Sequence, residues 1–439
     1  MENKKVFDIK ITVLIPCKDR ASYLYQTLRT CALQDYDNLE IIVSDDGSSD
    51  DTKEVVENFS KIDSRIKYIT PDEGRNVGMS ANFEYALDQV KQGYVIVLGG
   101  DDAILPGGIS SISKILNDSN ASILTWSNAS YFYPNENNVN GQIVLKGNHG
   151  FLISGLRKIN SNSYLKRQAK NLNYVHDIEA PMIYVKSAVS IDLINKVKSR
   201  SKDGRFYSCS VPDGYSGIVL AGEVNEYLFS SEPYCMHGVS KFSAGLNYMT
   251  ESEKARKISK SFIDLASSQP MHKELASIPY TPLIPTMTAD FLLTANDLPG
   301  WQGNFGRINF KSLIDKAFEA LAHGQLPYSS LNRELYLLRE IARHHKLDDY
   351  FYKKLKKTKR NSKGVVFGSA LSPEQIYIDG KDFDLNNVFD AGYLIKNMYA
   401  LSKRKNFKNS YNIIKKSLAH KLTGFRKEKN LPDESEWGL

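Results

Sequence analysis

Ile11-Thr-Val-Leu-Ile15 is a short, almost continuously apolar and β-branched run stopped by Pro16. That pattern predicts a strand covered on both faces. A helix is expected next, because Leu24, Leu28 and Cys31 recur at i, i+4 and i+7. Leu39-Glu-Ile-Ile-Val43 predicts a second strand, ended by the turn sequence Asp45-Asp46-Gly47-Ser48. Asp51 and Glu54 have the spacing of a capping box for a helix bearing Val55, Val56 and Phe59. A third strand is expected over Arg65–Thr70 and a loop over Gly74–Gly78. Ser80 then caps a helix lined by Phe83, Leu87 and Val90 and ended by Gly93. Tyr94–Leu98 reads as a fourth strand running into Gly99-Gly100-Asp101-Asp102. Alternation of this kind implies βαβ units: an α/β fold with a mostly parallel sheet flanked by helices. Ligands of such sheets bind beyond the carboxyl ends of the strands. Here those ends carry Pro16 to Arg20, Asp45-Asp46 and Asp101-Asp102.

From about residue 120 to 250 the pattern is mixed, with short strands expected at Ser122–Trp126 and Pro181–Val185 and a loop at Tyr133–Gly150. Beyond that the rhythm turns helical. Ile258, Phe262 and Leu265 share a face, as do Leu313, Ala317 and Leu321, and again Leu331, Leu335 and Leu338. Pro279–Pro299, with four prolines, reads as a connector or an irregular packed segment. The expected organisation is therefore a first unit over 1–250 and a mainly α-helical region over 251–439.

Composition narrows the class. With 41% hydrophobic and 24% charged residues in 439, the chain is not of the disordered type. Cys17, Cys31, Cys209 and Cys235 are far apart and form no CxxC, which points to reduced thiols. No apolar run nears the ~18 residues of a membrane span, and Met1–Lys10 lacks a signal-like apolar stretch, so a cytoplasmic protein is expected. The net charge of +7 has a place: Lys353–Lys363 holds seven Lys/Arg and no acid, and Lys403–Lys429 holds ten and one Glu. Such runs are solvated helix faces, or else they meet an anionic membrane surface, a polyanion or another copy of the chain.

Two adjacent carboxylates after a buried strand, as at Asp101-Asp102, repel each other and call for a cation or hydrogen-bond donors; oxygen ligands suit Mg²⁺ or Mn²⁺. The alternative is a polar turn that caps a helix. Asp45 and Asp46 can accept hydrogen bonds from a base or ribose, and Arg75 and Asn76 can donate to a nucleotide. Helix capping and a solvated loop are the competing readings.

Taken in order, these stretches resemble the family 2 glycosyltransferases, which have the GT-A fold. The matching residues are Val13 to Arg20, Leu24 to Leu28, Gln34-Asp-Tyr36, Leu39 to Asp50, Gly74-Arg-Asn-Val-Gly78 and Tyr94 to Asp102. The resemblance implies an inverting transferase that moves a sugar from a nucleotide sugar, of UDP type, to a hydroxyl of a glycan or lipid-linked acceptor in bacterial cell-surface polysaccharide synthesis. It implies that Pro16, Asp19, Arg20, Asp45, Asp46, Arg75, Asn76, Asp101 and Lys241 meet the donor. Asp102 and His237 would hold Mn²⁺ or Mg²⁺. The general base is expected in Val211-Pro-Asp-Gly-Tyr-Ser-Gly217, with Asp213 the choice and Asp177 and Glu179 the runners-up. Pro212-Asp-Gly214 would also make a good β-turn. A nucleotidyltransferase would need a Gly-rich phosphate loop that Ile15–Arg20 lacks, and an inactive sugar-nucleotide-binding scaffold would not need Asp101-Asp102. No feature points to nucleic acid.

Overall fold

The computed structural model describes residues 9–134, 140–146, 155–243, 260, 262–323, 328–361, 370–371, 375–402 and 428–430. Ile258, parts of the Tyr133–Gly150 loop, the end of the Lys353–Lys363 run and most of Lys403–Lys429 lie outside the described residues.

The first half follows the expected alternation. Strand β1 (Ile11–Cys17) leads to helix α1 (Ala21–Ala32), β2 (Leu39–Asp45), α2 (Thr52–Ser60), β3 (Ile66–Ile69), α3 (Met79–Asp88) and β4 (Tyr94–Val97). β1 pairs in parallel with β2 and β4, and β2 with β3. The continuous apolarity of β1 has its reason here. Val13 and Ile15 pack toward α1 and α2, while Leu14 faces α3 on the other side. Pro16 sits beyond the last β1–β4 pair, Leu14 with Val97, so its missing N–H costs no ladder bond on that side.

After β4 the path departs from the expectation. β5 (Ala103–Ile104), α4 (Gly108–Ser119), β6 (Ile123–Trp126), β7 (Ala129–Phe132), β8 (Gln142–Lys146), β9 (Leu156–Asn160) and α5 (Ser161–Asn171) follow. The strand expected at Pro181–Val185 is instead β10 (Ser187–Ser190), because Val185 turns the chain with a φ of +61°. α6 (Ile191–Lys198), α7 (Pro212–Ala221), β11 (Glu226–Ser230) and β12 (Cys235–Val239) complete this part. The main sheet has the order β3-β2-β1-β4-β10-β6-β11-β9. It is mixed but mostly parallel, with β10 and β9 antiparallel to the other six strands.

Local caps also differ. Asp50, not Asp51, holds the start of α2, accepting from the Thr52 amide at 3.1 Å and from the Ala21 amide of α1 at 2.9 Å. α3 begins after Gly78, and the Ser80 hydroxyl donates to the Ser210 carbonyl at 3.0 Å instead of capping. α3 ends at Asp88, short of Gly93.

The remainder is mainly helical: α8 (Ile284–Asn296), α9 (Phe310–His323), α10 (Tyr328–His344), α11 (Asp348–Lys357) and α12 (Val388–Ser402). The proline-rich segment is not a bare connector. Pro285 lies in the first turn of the buried helix α8, where a missing N–H is harmless. The stripes Leu313/Ala317/Leu321 and Leu331/Leu335/Leu338 are buried; Leu265 is exposed. Between and after these helices come β13 (Lys359–Asn361), β14 (Ala370–Leu371), β15 (Gln375–Asp379) and β16 (Glu428–Asn430). β15 pairs with β8 in a second sheet, β14-β15-β8-β7-β12-β5. Both sides of residue 250 share one core: Phe83, Tyr215 and Ile218 pack in the same cluster as Phe291, Leu335 and Phe351. The four cysteines are buried and unbridged. Among the described residues, no helix is long and apolar enough to cross a membrane.

Candidate active site

The carboxyl ends of β1, β2 and β4 lie side by side, and β12 pairs with β5 just after Asp102. α1 fixes the turn after β4: the buried Thr27 hydroxyl lies 2.7 Å from the Asp102 carbonyl and 3.1 Å from that of Gly100. The Ile104 amide donates to the Thr30 hydroxyl one turn later, at 3.1 Å. The Asp102 side chain is fully buried, and its two oxygens accept from the Gly99 amide at 2.5 Å and the Gly238 amide at 2.7 Å. Only glycine fits at 238, because a Cβ there would come within 1.7 Å of the Asp101 carbonyl. Asp101 accepts from the Ser240 hydroxyl through Oδ2 at 2.6 Å. The space in front of Gly99 and Gly100 is lined by the Tyr184 hydroxyl and the Arg20 side chain.

Arg20 reaches across the site. Its guanidinium donates to the Lys18 carbonyl at 2.9 Å and the Phe242 carbonyl at 3.1 Å, and stands 5.0 Å from the Phe242 ring. Lys241 Nζ is 5.1 Å from the same ring. Asp19 has a φ of +51° and accepts from the Ser49 amide at 2.7 Å.

The second acidic turn is tied down internally. Asp45 accepts from the Ser48 amide at 3.0 Å and the Tyr68 hydroxyl at 2.8 Å. Asp46 accepts from the Val77 and Gly78 amides at 2.6 and 3.0 Å, which draws the 74–78 loop onto the end of β2. Asn76 accepts from the Gly78 amide at 3.1 Å. Arg75 is exposed and paired with Asp72 at 2.7 Å.

Asp213 opens α7 rather than forming a β-turn, with Pro212 ahead of it in the first turn. It is half-buried and accepts from the Gly214 amide at 2.7 Å. Burial, opposed by that amide and by nearby His237, pushes its carboxyl above the usual carboxylate range. Tyrosines surround it: Tyr174, Tyr184, Tyr207 and Tyr280 have hydroxyls raised chiefly by burial and further by the Asp213 charge. The runners-up are engaged by arginines. Arg167 bonds Asp177 at 2.7 Å and Glu179 at 2.6 Å, and Arg157 also pairs with Glu179.

Tyr184 is a residue that the sequence reading missed. Its hydroxyl lies beside the Asp101 and Asp102 carboxylates in front of Gly99, its ring meets His237 edge-on at 5.9 Å, and burial first, then the charges of Asp102, Asp101 and Asp213, raise its hydroxyl. The strained Val185 beside it, β-branched with positive φ, aims it there.

The donor set can be asked whether it suits a divalent cation. Asp101 and Asp102 supply hard oxygens from the turn after β4, and His237 a nitrogen from β12. Burial above all, opposed by His237 and reinforced by Asp101, pushes the Asp102 carboxyl up to about 6. A cation at the turn would relieve that cost. The aspartate pair therefore fits the chemistry. The candidate ligand atoms of Asp101, Asp102 and His237 do not all fall within 4.8 Å of one another, so the three do not form a closed cage.

The family described as "Glycosyl transferase family 2" matches residues 12–190. The matched segment makes up under half of the chain. It covers β1 through β10, including the strand-end acids and Tyr184. A GalNAc(5)-diNAcBac-PP-undecaprenol beta-1,3-glucosyltransferase of Campylobacter jejuni is 39% identical over 114 residues, 26% of this chain and 37% of that one. Glycosyltransferase GlyA of Streptococcus pneumoniae is 35% identical over 116 residues, 26% of this chain and 16% of that one. The chain thus spans well under half the length of these curated relatives. A crystal structure of S. aureus TarS 1-349 in complex with UDP-GlcNAc overlaps 80% of this chain and 92% of its own at 13% identity, with a TM-score of 0.41.

Proposed function

We propose that the chain transfers a sugar from a nucleotide sugar, of UDP type, to a hydroxyl of a glycan or lipid-linked acceptor, with inversion at the anomeric carbon. The observation that carries this reading is the meeting of the strand-end aspartates with a half-buried, raised-pKa carboxylate, Asp213, inside a chain that family 2 matches over residues 12–190. The acceptor oxygen forms its bond to the anomeric carbon as the bond from that carbon to the diphosphate breaks. The nucleoside diphosphate leaves with the electron pair, and Asp213 takes the hydroxyl proton. A carboxyl raised by burial is a better base than an ordinary one near neutral pH.

Asp101 and Asp102 would hold Mn²⁺ or Mg²⁺ with His237 beside them; when bound, the ion neutralises charge developing on the departing diphosphate. Arg20 and Lys241, stacked about Phe242, supply positive charge to the diphosphate. Asp19 and the loop held by Asp45 and Asp46 frame the nucleoside. Asp46 acts here through the 74–78 backbone, bringing Arg75 and Asn76 to the rim. The lipid-linked acceptor is suggested by the name of the Campylobacter relative.

The test is a panel of nucleotide sugars incubated with the protein in Mn²⁺, in Mg²⁺ and in chelator. Release of nucleoside diphosphate from one donor, lost in chelator, is the expected result. Release unaffected by chelator would remove the metal from the account, and no release from any donor would remove the transfer.

A further inference from the structure

We propose that Glu274, His344 and His345 form a second metal site, for a divalent transition ion of the Zn²⁺ class, remote from the strand-end aspartates. One ligand atom from each of the three lies within 4.8 Å of the other two. Two imidazoles and a carboxylate are the donor set that such ions take, with water completing four-fold coordination.

Three further features of the place support it. First, His345 is oriented as metal-binding histidines are. Its Nε2 lies 2.7 Å from the Glu274 main-chain carbonyl. A carbonyl only accepts, so Nε2 carries the hydrogen and the lone pair of the neutral ring is on Nδ1. The ring is also stacked on Phe310 with centroids 3.5 Å apart. Second, both histidines stand at the end of α10, a helix of 17 residues. The helix closes with Lys346 at a φ of +57°, the Leu347 amide bonded to the Ala342 carbonyl at 2.8 Å and the Lys346 amide to that of Arg343 at 3.0 Å. That is a Schellman closure, and the partial negative charge of a helix C-terminus favours a cation. Third, the turn bearing Glu274 is pre-set. Its amide donates to His272 Nδ1 at 3.1 Å, and the buried Leu275 anchors it. The nearby cations have other partners: Lys273 pairs with Asp297 at 3.2 Å and Arg343 with Glu340 at 3.4 Å. The Glu274 carboxylate enters no ion pair among the described residues. A bound ion would staple the turn at residues 273–275 to the end of α10.

The full chain, stripped of metal by chelator, would be titrated with Zn²⁺ alone in excess Mg²⁺, which occupies hard-oxygen sites. One Zn²⁺ per chain is expected, with a raised melting temperature. Binding should weaken by at least ~10-fold in His344→Ala and in Glu274→Gln, with the melting rise lost. His344 is exposed, so its variant should fold, and circular dichroism verifies this. Co²⁺ in place of Zn²⁺ should give visible absorption in the wild type and not in His344→Ala. Equal Zn²⁺ binding by the wild type and both variants, or no binding by the folded wild type, would overturn the proposal. Donor hydrolysis should be the same in His344→Ala and wild type, so this result is independent of the glycosyl-transfer reading.

Discussion

The Tyr184 hydroxyl stands beside the Asp101 and Asp102 carboxylates, and the Asp213 charge reaches it as well, yet it is not itself acidic. We read it as a positioning residue for Asp102. Tyr184→Phe keeps the ring and removes the hydroxyl. The half-saturating Mn²⁺ concentration should rise by about tenfold, with a smaller change in kcat; an unchanged metal requirement would show the hydroxyl to be idle. Lys186, two residues on, is buried and donates to the Asp177 and Ile178 carbonyls at 3.1 and 3.0 Å. Burial lowers its ammonium pKa from 10.5 to about 7, partly opposed by Asp177. Between those values the unfolded chain holds a proton that the folded chain lacks. Stability should therefore rise with pH from about 7 to about 10, and Lys186→Met should remove that slope in urea unfolding. The acids at strand ends were legible in the sequence, because a polar pair after an apolar run marks where a buried strand stops. Tyr184 was not. Its place depends on the reversal at Val185, which no turn residue announces.

At the scale of elements, β1, β2 and β4 were legible because their apolar runs are buried, whereas the edge strand β3, with Lys67 exposed, was legible by its place in the alternation. β10 was not: Ser187-Ala-Val-Ser190 is too short to show a period. β15 was missed for another reason, since its partner β8 lies far back in the sequence and pairing of that range leaves no local mark. Yet β15 and α12 hold the lower wall of the site. Ile378, Val388 and Ile395 pack with Ala103, after Asp102, and with Met236, before His237. Ile395 is fully buried. Ile395→Ala should cost about 2–4 kcal/mol in urea unfolding. A cost within experimental error would mean that α12 is not part of this core.

For the whole molecule, the step from strand-and-helix to helical rhythm near residue 250 suggested two units. In the fold, α8 packs on α7, with the Phe291 ring against Gly214, and the Trp301 indole donates to the Val219 carbonyl at 2.9 Å. The helical region thus buries the back of the helix that carries Asp213. A chain ended at residue 243 should not show a cooperative melt; a soluble, cooperatively melting product would mean that the first unit stands alone. The +7 charge also takes on a location, since the strand-end site is acidic and the basic runs lie after residue 350.

The central claim is that Asp213 removes the acceptor proton beside a metal-bearing aspartate pair. Its most direct test uses the donor and acceptor found by screening and compares wild type with Asp213→Asn, measuring donor binding and the rate of transfer in the same preparation. The account predicts binding within about twofold and transfer reduced by ~10² or more. Transfer at the wild-type rate by Asp213→Asn would contradict it.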